Sequence, residues 1–162
     1  MEIALREWSD ADAAWYVEQV KDSETLRFTT ESASLTTDEF LLALNQFRRD
    51  DDALGYVAVD AEHGTRLANV AARRDGHRAH VSYWVAASAR GQGVASAALK
   101  LLCERVFEVW PVAEIRLWTM RHNVASQRAA EKAGFGRDTS VDEAPEIHGR
   151  QHHDARWYRL TR

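Results

Sequence analysis

His80-Val81-Ser82-Tyr83-Trp84-Val85 leads through Ala86-Ala87-Ser88-Ala89 into Arg90-Gly91-Gln92-Gly93-Val94-Ala95. The first segment reads as a strand and the second as a short connection. The third is a glycine-punctuated turn that opens a long helix. The first amides of a helix have no partners inside it, so such a turn aims several backbone N–H groups at one anion. Gly91 and Gly93 lack a Cβ and let a ligand touch the main chain. Ala95 keeps the first helical turn small. The ligand expected here carries a phosphate.

Spacing narrows the choice. No Gly-Lys-Ser or Gly-Lys-Thr follows the glycines, which argues against a P-loop nucleotide hydrolase. Gly91-x-Gly93-x-x-Ser96 approaches the dinucleotide fingerprint, but serine stands where the third glycine belongs. The glycines also lie several residues beyond the strand, whereas the dinucleotide turn is tight against it. Downstream, Glu114-Ile115-Arg116-Leu117-Trp118-Thr119-Met120 alternates as a half-buried strand does. The run from Asn123 to Phe135 follows as a helix. Asn123 suits its N-cap and Gly134 a left-handed C-terminal cap.

Arg90-x-x-Gly93-x-Ala95 resembles the Arg/Gln-x-x-Gly-x-Gly/Ala acetyl-CoA signature of the GNAT superfamily of N-acetyltransferases. The helix from Asn123 resembles the next helix of that superfamily. Tyr83-Trp84-Val85, Asn123-x-x-Ser126 and Glu131-Lys132-x-Gly134-Phe135 are all present. They make the chain most similar to the branch of ribosomal-protein N-terminal acetyltransferases and their drug-modifying relatives. The likeness spans nearly the whole chain and is loose before Leu54 and after Phe135.

Composition agrees with a compact soluble enzyme. The 162 residues suit one domain, an N-acetyltransferase domain over 1–162. No apolar run is long enough to cross a membrane, and Met1-Glu2-Ile3-Ala4 has no signal-peptide pattern. The single cysteine makes no internal disulfide, so the cytoplasm is the expected location. A net charge of −4 without a basic run argues against nucleic-acid binding.

The order of elements follows from periodicity. Ile3 to Trp8 reads as a strand, and a helix starts at Ser9 or Asp10 and runs to about Val20. Asp22 to Glu31 reads as irregular. Thr37-x-Glu39 opens a helix with Phe40, Leu41, Leu44 and Phe47 at helical spacing. Ala53 to Val59, Leu67 to Arg73 and His80 to Val85 are strands, with a hairpin turn at Arg74-Asp75-Gly76-His77. Val94, Ala98, Leu101, Leu102, Val106 and Val109 form the apolar stripe of the long helix, which Trp110-Pro111 ends. A last strand falls near Ala155 to Leu160. The expected fold is α+β, a mixed, mostly antiparallel twisted sheet with helices on both faces.

The resemblance implies acetyl-CoA as cosubstrate, with the backbone of Arg90, Gly91, Gln92, Gly93, Val94 and Ala95 cradling the pyrophosphate. It also implies that the strand ending at Trp84 and Val85 splays from the one ending at Thr119-Met120. The pantetheine arm then pairs with exposed main chain, as in strand addition by a peptide. A free N–H near Val85 is the oxyanion donor on this reading. The Arg90 guanidinium suits a phosphate. Asn123 is expected both to cap and to bond the cofactor arm, and Arg128 to reach a CoA phosphate or to be a solvated arginine. The tyrosine that many members use to protonate the thiolate falls at Ala130, so that acid is missing; Ser126 matches the serine of the related branch. Its alternative role is a local backbone bond in the first helical turn.

Substrate contacts are expected from Arg27, Phe28, Glu31 and Asp154, in segments where the likeness is poorest. Glu31, His80, His122 and Asp154 are general-base candidates by residue type, with a water chain as the alternative. His148, His152 and His153 beside Asp154 resemble a metal cluster, but Gly149-Arg150 reads as a turn and adjacent strand residues face opposite ways, so no metal is expected. Cys103, inside the long helix, has no evident base and reads as an inert thiol.

Three functions compete. The first is direct transfer of acetyl to a primary amine, of a small molecule or of a protein N-terminus. The second is a CoA-binding module without turnover, which the absent tyrosine makes conceivable. The third is a nucleotide-dependent oxidoreductase, supported only by the imperfect glycine pattern and Arg121. Dimerisation is common among relatives, and the closing strands offer a surface for it.

Overall fold

The computed structural model describes residues 1–140, 145–147, 150, 151 and 154–162. The chain opens with β1 (Ile3–Glu7), a short 3-10 turn (Asp10–Asp12) and α1 (Ala13–Gln19). Then come α2 (Ser23–Phe28), α3 (Thr37–Arg48), β2 (Ala53–Asp60), β3 (Arg66–Asp75) and β4 (Arg78–Val85). After these lie α4 (Val94–Val109), β5 (Glu114–Met120), α5 (Val124–Lys132) and β6 (Gly136–Asp138). The short β7 (Glu146–Ile147) and β8 (Arg150–Gln151) pair with each other, and β9 (Ala155–Thr161) closes the fold.

The main sheet has the order β1-β2-β3-β4-β5-β9-β6. Every neighbouring pair is antiparallel except β4 and β5, which are joined through α4. A parallel pair needs such a crossover. Strand alternation sorts side chains to two faces. One face packs Val70, Ala72, Ala79, Val81, Ile115 and Leu117 on Ala98, Leu99, Leu102 and Val106 of α4. The other packs Val57 and Val59 of β2 on Phe40 and Leu44 of α3, with Trp8 and Ala13. The expected mixed sheet with helices on both faces is observed. Leu99, Leu102 and Ile115 are completely buried, and each contributes about 1.5–3 kcal/mol of burial.

The helix stripe differs from the expected one. Leu99 and Cys103 are buried in α4, whereas Leu101 is half-buried and Val109 is 41% exposed. The helix is gripped on one flank by the sheet and on the other by α5, so its apolar arc is shifted from the simple stripe. Phe47 places α3 directly over Gly55, where a Cβ would stand 2.7 Å from the phenyl ring. Capping sets the helix starts: Thr36 and Glu39 form a reciprocal capping box on α3.

The segment expected to be irregular contains α2. Asp22 caps it by accepting from Thr25 N at 3.0 Å. Six residues show no amphipathic period, which is why pattern reading missed it; a cap and tertiary contacts hold it instead. Asp12 is another tertiary tie. It is fully buried and accepts from Arg6 through both oxygens at 3.0 Å, and from Arg66 Nε at 2.6 Å. Two cations on β1 and β3 are thereby fastened to the entry of α1. Among the described residues no helix is long and apolar enough to cross a membrane.

Candidate functional site

β4 and β5 pair only at Arg78–Glu114, Ala79–Ile115 and His80–Arg116. Beyond that point β4 runs on to Val85, still paired on its other edge with β3, and β5 runs on to Met120, paired with β9. The facing edges of the two strands therefore part, leaving main-chain groups without a ladder partner. A cleft of about 750 Å³ lies at this split, lined by Val81 to Val85 of β4, Leu117 to Met120 of β5 and residues from both faces of the sheet.

One mouth lies at the glycine turn. Gly91 and Gly93 adopt left-handed φ of 74° and 76°, which only glycine takes readily. A Cβ at either would meet no protein atom within 4 Å, so both face open space at the cleft. Gly93 is the N-cap of α4, and the first intrahelical bond runs from Ala97 N to Gly93 O at 3.3 Å. The amides of Val94, Ala95 and Ser96 precede it and remain available to an anion. Thr119, on β5, lines the same cleft with a buried hydroxyl that has no hydrogen-bond partner among the described residues. A phosphate cradle, an open strand edge and an orphaned hydroxyl fit an extended ligand with a pyrophosphate and amides.

The Arg90 side chain takes another place than the expected one on a phosphate. Its Nη2 meets Asp22 at 2.5 Å and Thr25 Oγ1 at 3.2 Å, and its Nε meets Glu24 at 2.9 Å. Two carboxylates, the α2 cap Asp22 and Glu24 in its first turn, hold the guanidinium. That pairing, with the cap bond from Thr25 N, holds the Asp22 pKa down at about 2.

Helix α5 supplies the cleft floor. Asn123 accepts from Ser126 N at 3.2 Å, as expected of its cap role. The Tyr83 hydroxyl donates to Ser126 Oγ at 2.7 Å. Asn123, Ser126 and Arg128 all line the cleft, and Arg128 is exposed. Ala130, one turn beyond Ser126, is buried in the core and is not among the residues lining the cleft.

The opposite mouth is aromatic and acidic. Glu31 accepts at one oxygen from the Tyr16 hydroxyl and from Trp84 Nε1, the latter at 3.3 Å. Its other oxygen has no partner among the described residues. Trp84 stacks on Trp15 at 5.8 Å and meets Tyr16 edge-on at 5.2 Å. Burial, reinforced by the Glu31 charge, raises the Tyr16 pKa, so the phenol stays a donor. Phe28 and Glu31 line this mouth with Asn69, Ser82, Trp84 and Trp118.

The structure thus brings Phe28, Glu31, Trp84, Val85, Arg90, Gly91, Gly93, Val94, Ala95, Asn123, Ser126 and Arg128 to one cleft. Arg27, Gln92 and Asp154 are not among its lining residues. Arg27 is exposed and lies over the Phe28 ring. Gln92 turns back to donate to Ser88 O at 3.2 Å. Asp154 is exposed, and its carbonyl receives Arg121 N at 3.1 Å. Of the general-base candidates only Glu31 reaches the cleft; His80 sits at the foot of the split against Trp157, and His122 is exposed. Burial pushes the Cys103 thiol up to about 12, consistent with an inert cysteine. His148, His152 and His153 lie outside the described residues. Tyr83, Thr119 and Tyr16 were not anticipated as side-chain participants. Strand alternation could have placed Tyr83 on the face turned to the next helix, but nothing local announces the Tyr16–Glu31 contact.

The family model for the acetyltransferase (GNAT) domain matches residues 2–136. No curated protein matches the sequence. Among solved structures, Mycobacterium smegmatis RimJ in complex with CoA-disulfide is similar, with a TM-score of 0.82 and 20% identity over 98% of this chain and 81% of that one. Spermidine N-acetyltransferase from Vibrio cholerae, in complex with CoA and spermine, gives 0.83 and 17% over 98% and 95%. The aminoglycoside acetyltransferase AAC(6')-Ib with coenzyme A and kanamycin gives 0.76 and 18% over 99% and 95%. At these identities the structural likeness establishes the fold, while the family model covers most of the chain: it belongs to the GNAT acetyltransferase family.

Proposed function

We propose that this chain is an acetyl-CoA-dependent N-acetyltransferase acting on a primary amine. The observation that carries the reading is the cleft through the split sheet, with a phosphate cradle at one mouth and a carboxylate among aromatic rings at the other. Acetyl-CoA supplies an activated acyl group with a thiolate leaving group. The amides at the start of α4 bind its pyrophosphate, and the open edge of β4 pairs with its amide-bearing arm. A free N–H near Val85 meets the developing oxyanion, a contact that strengthens as charge builds.

The amine enters from the Glu31 side. The free oxygen of Glu31 attracts an ammonium, and the rings of Trp84 and Phe28 give it a cation-accepting, partly dry wall. Glu31, or a water on it, then takes the proton that the nucleophile must lose. Ser126 hydrogen-bonds the departing sulfur. Amine acceptors are also the chemistry of the structural neighbours, which hold spermine or kanamycin in complexes with CoA.

The test is two-fold. Calorimetry compares acetyl-CoA, CoA and NADP, with the first two expected to bind and the third not. Thiol release is then screened over polyamines, aminoglycosides, amino acids and peptides with free N-termini. Tight CoA binding with no turnover on any amine would reduce the reading to a CoA-binding module. Preference for NADP would overturn it.

A further inference from the structure

We propose that Tyr83 is a positioning residue for acetyl transfer, one that turns the Ser126 hydroxyl toward the departing sulfur. The inference rests on the reading above, in which acetyl-CoA lies along the split between β4 and β5.

Two serines occupy the third position of helices that border the cleft, and they behave differently. Ser96 of α4 donates to its own N-cap carbonyl, Gly93 O, at 3.3 Å. This local bond is the usual outcome for a serine in a first helical turn. Ser126 of α5 makes no such bond among the described residues. Its oxygen instead accepts from the Tyr83 hydroxyl at 2.7 Å, across from another strand. Its amide is held by Asn123 Oδ1 at 3.2 Å, which fixes the turn that carries it.

In this contact the Tyr83 hydroxyl is the donor and Ser126 Oγ the acceptor. Tyr83 is packed against the core cluster under the sheet, and that burial raises its pKa above the ordinary phenol value. The phenol therefore keeps the proton that this hydrogen bond requires. A serine hydroxyl has one proton and two acceptor lone pairs. With one lone pair engaged by Tyr83, its single proton is left to point at a third group. Tyr83 and Ser126 both line the cleft, and the third group is a ligand atom there. Donation into Ser126 also polarises its O–H and makes it a stronger donor.

The chemistry balances without moving a proton from Tyr83. The amine nitrogen bonds to the acyl carbon, the C–S bond breaks, and its electron pair stays on sulfur as a thiolate. The surplus proton on nitrogen passes to Glu31 or water. Ser126 donates one hydrogen bond to the thiolate, and Tyr83 holds Ser126 in that donor orientation. This arrangement replaces the tyrosine acid that Ala130 cannot supply.

A double-mutant cycle tests it. Wild type, Tyr83→Phe, Ser126→Ala and the double variant are compared for kcat on the best amine and for acetyl-CoA Kd by calorimetry, with circular dichroism as the folding control. Ser126→Ala is expected to lower kcat about a hundredfold. Tyr83→Phe is expected to lower it about tenfold, the worth of one good hydrogen bond. The double variant should match Ser126→Ala alone, because Tyr83 acts only through Ser126. Acetyl-CoA Kd should be unchanged in all three. Tyr83→Met repeats the cycle without the ring and should behave as Tyr83→Phe. Wild-type kcat in Tyr83→Phe, losses that multiply in the double variant, or a loss confined to Kd would each overturn the role of Tyr83 while leaving the acetyltransferase reading intact. Absence of turnover in the wild type would overturn both.

Discussion

Arg90 grips Asp22 at 2.5 Å, and through this contact the turn before α4 holds the N-cap of α2. Arg90 lines the cleft beside the glycine turn, and α2 ends at Phe28, close to Glu31, where the amine is proposed to enter. The two ends of the site share one ion pair. Asp22→Asn keeps a capping side chain but removes the charge. It should speed hydrogen exchange across residues 23–28 and raise the amine KM severalfold, with circular dichroism unchanged. The same contact sets an acid limit. Hydrogen bonding from Arg90, then from Thr25 N, holds the folded Asp22 pKa at about 2, below its ordinary 3.8. A carboxylate with a depressed folded pKa stabilises above its unfolded pKa and loses that contribution as pH falls through the folded one. Wild-type Tm should therefore fall more steeply than that of Asp22→Asn between about pH 4 and pH 2.

Gly93→Val should abolish acetyl-CoA binding in a protein that still folds. The φ of 76° at Gly93 strains any branched side chain by about 1–2 kcal/mol. The side chain would also project into the open space beside the first amides of α4. Calorimetric titration beside circular dichroism reads both effects. Wild-type affinity in the variant would remove the phosphate cradle from the model of the site.

Glu31→Gln leaves an acceptor for Tyr16 and Trp84 and removes only the charge. Amines with several positive charges should lose the most, about tenfold in KM for one lost charge contact at a partly dry site. Acetyl-CoA affinity should not move. Phe28→Ala should instead reorder amines by shape, since specificity is a difference of affinities. If neither variant changes the ranking in a thiol-release screen, the amine enters elsewhere.

Asp12→Ala should cost about 2–4 kcal/mol of stability without touching the cleft, because it strands two arginines on β1 and β3. Hydrogen bonds from Arg6 and Arg66, with Ser9 N, hold the Asp12 pKa well below the usual carboxylate range despite burial. Denaturant titration gives the magnitude. Unchanged kcat in the surviving folded fraction separates this tie from the catalytic groups.

The strands and long helices were legible because their periodicity is carried by many residues at once. The turn from Arg90 to Ala95 was legible because glycine at positive φ and an open helix start leave a compositional trace. What escaped was held by contacts distant in sequence. α2 is six residues under one cap and the grip of Arg90, sixty-eight positions away from Asp22. The Arg90 side chain was expected on a phosphate because a guanidinium suits either anion, and sequence does not rank a carboxylate on a folded neighbour. Tyr83 read as core, which half describes it. Its hydroxyl becomes informative only once α5 is laid over β4.

Ala79 and Ile115, both completely buried, lie side by side at the foot of the split. Above them the sheet divides into two leaves, β1 to β4 on one side and β5, β9 and β6 on the other. Such a shape works as a pair of tongs. The gap at the tips depends on what fits in the joint, and on the face turned to α4 the β4 arm carries there only the methyl group of Ala79. Ala79→Leu, which widens that joint by a few carbons, should change the affinity for a ligand that touches neither residue, as a lever moves a jaw from its pivot.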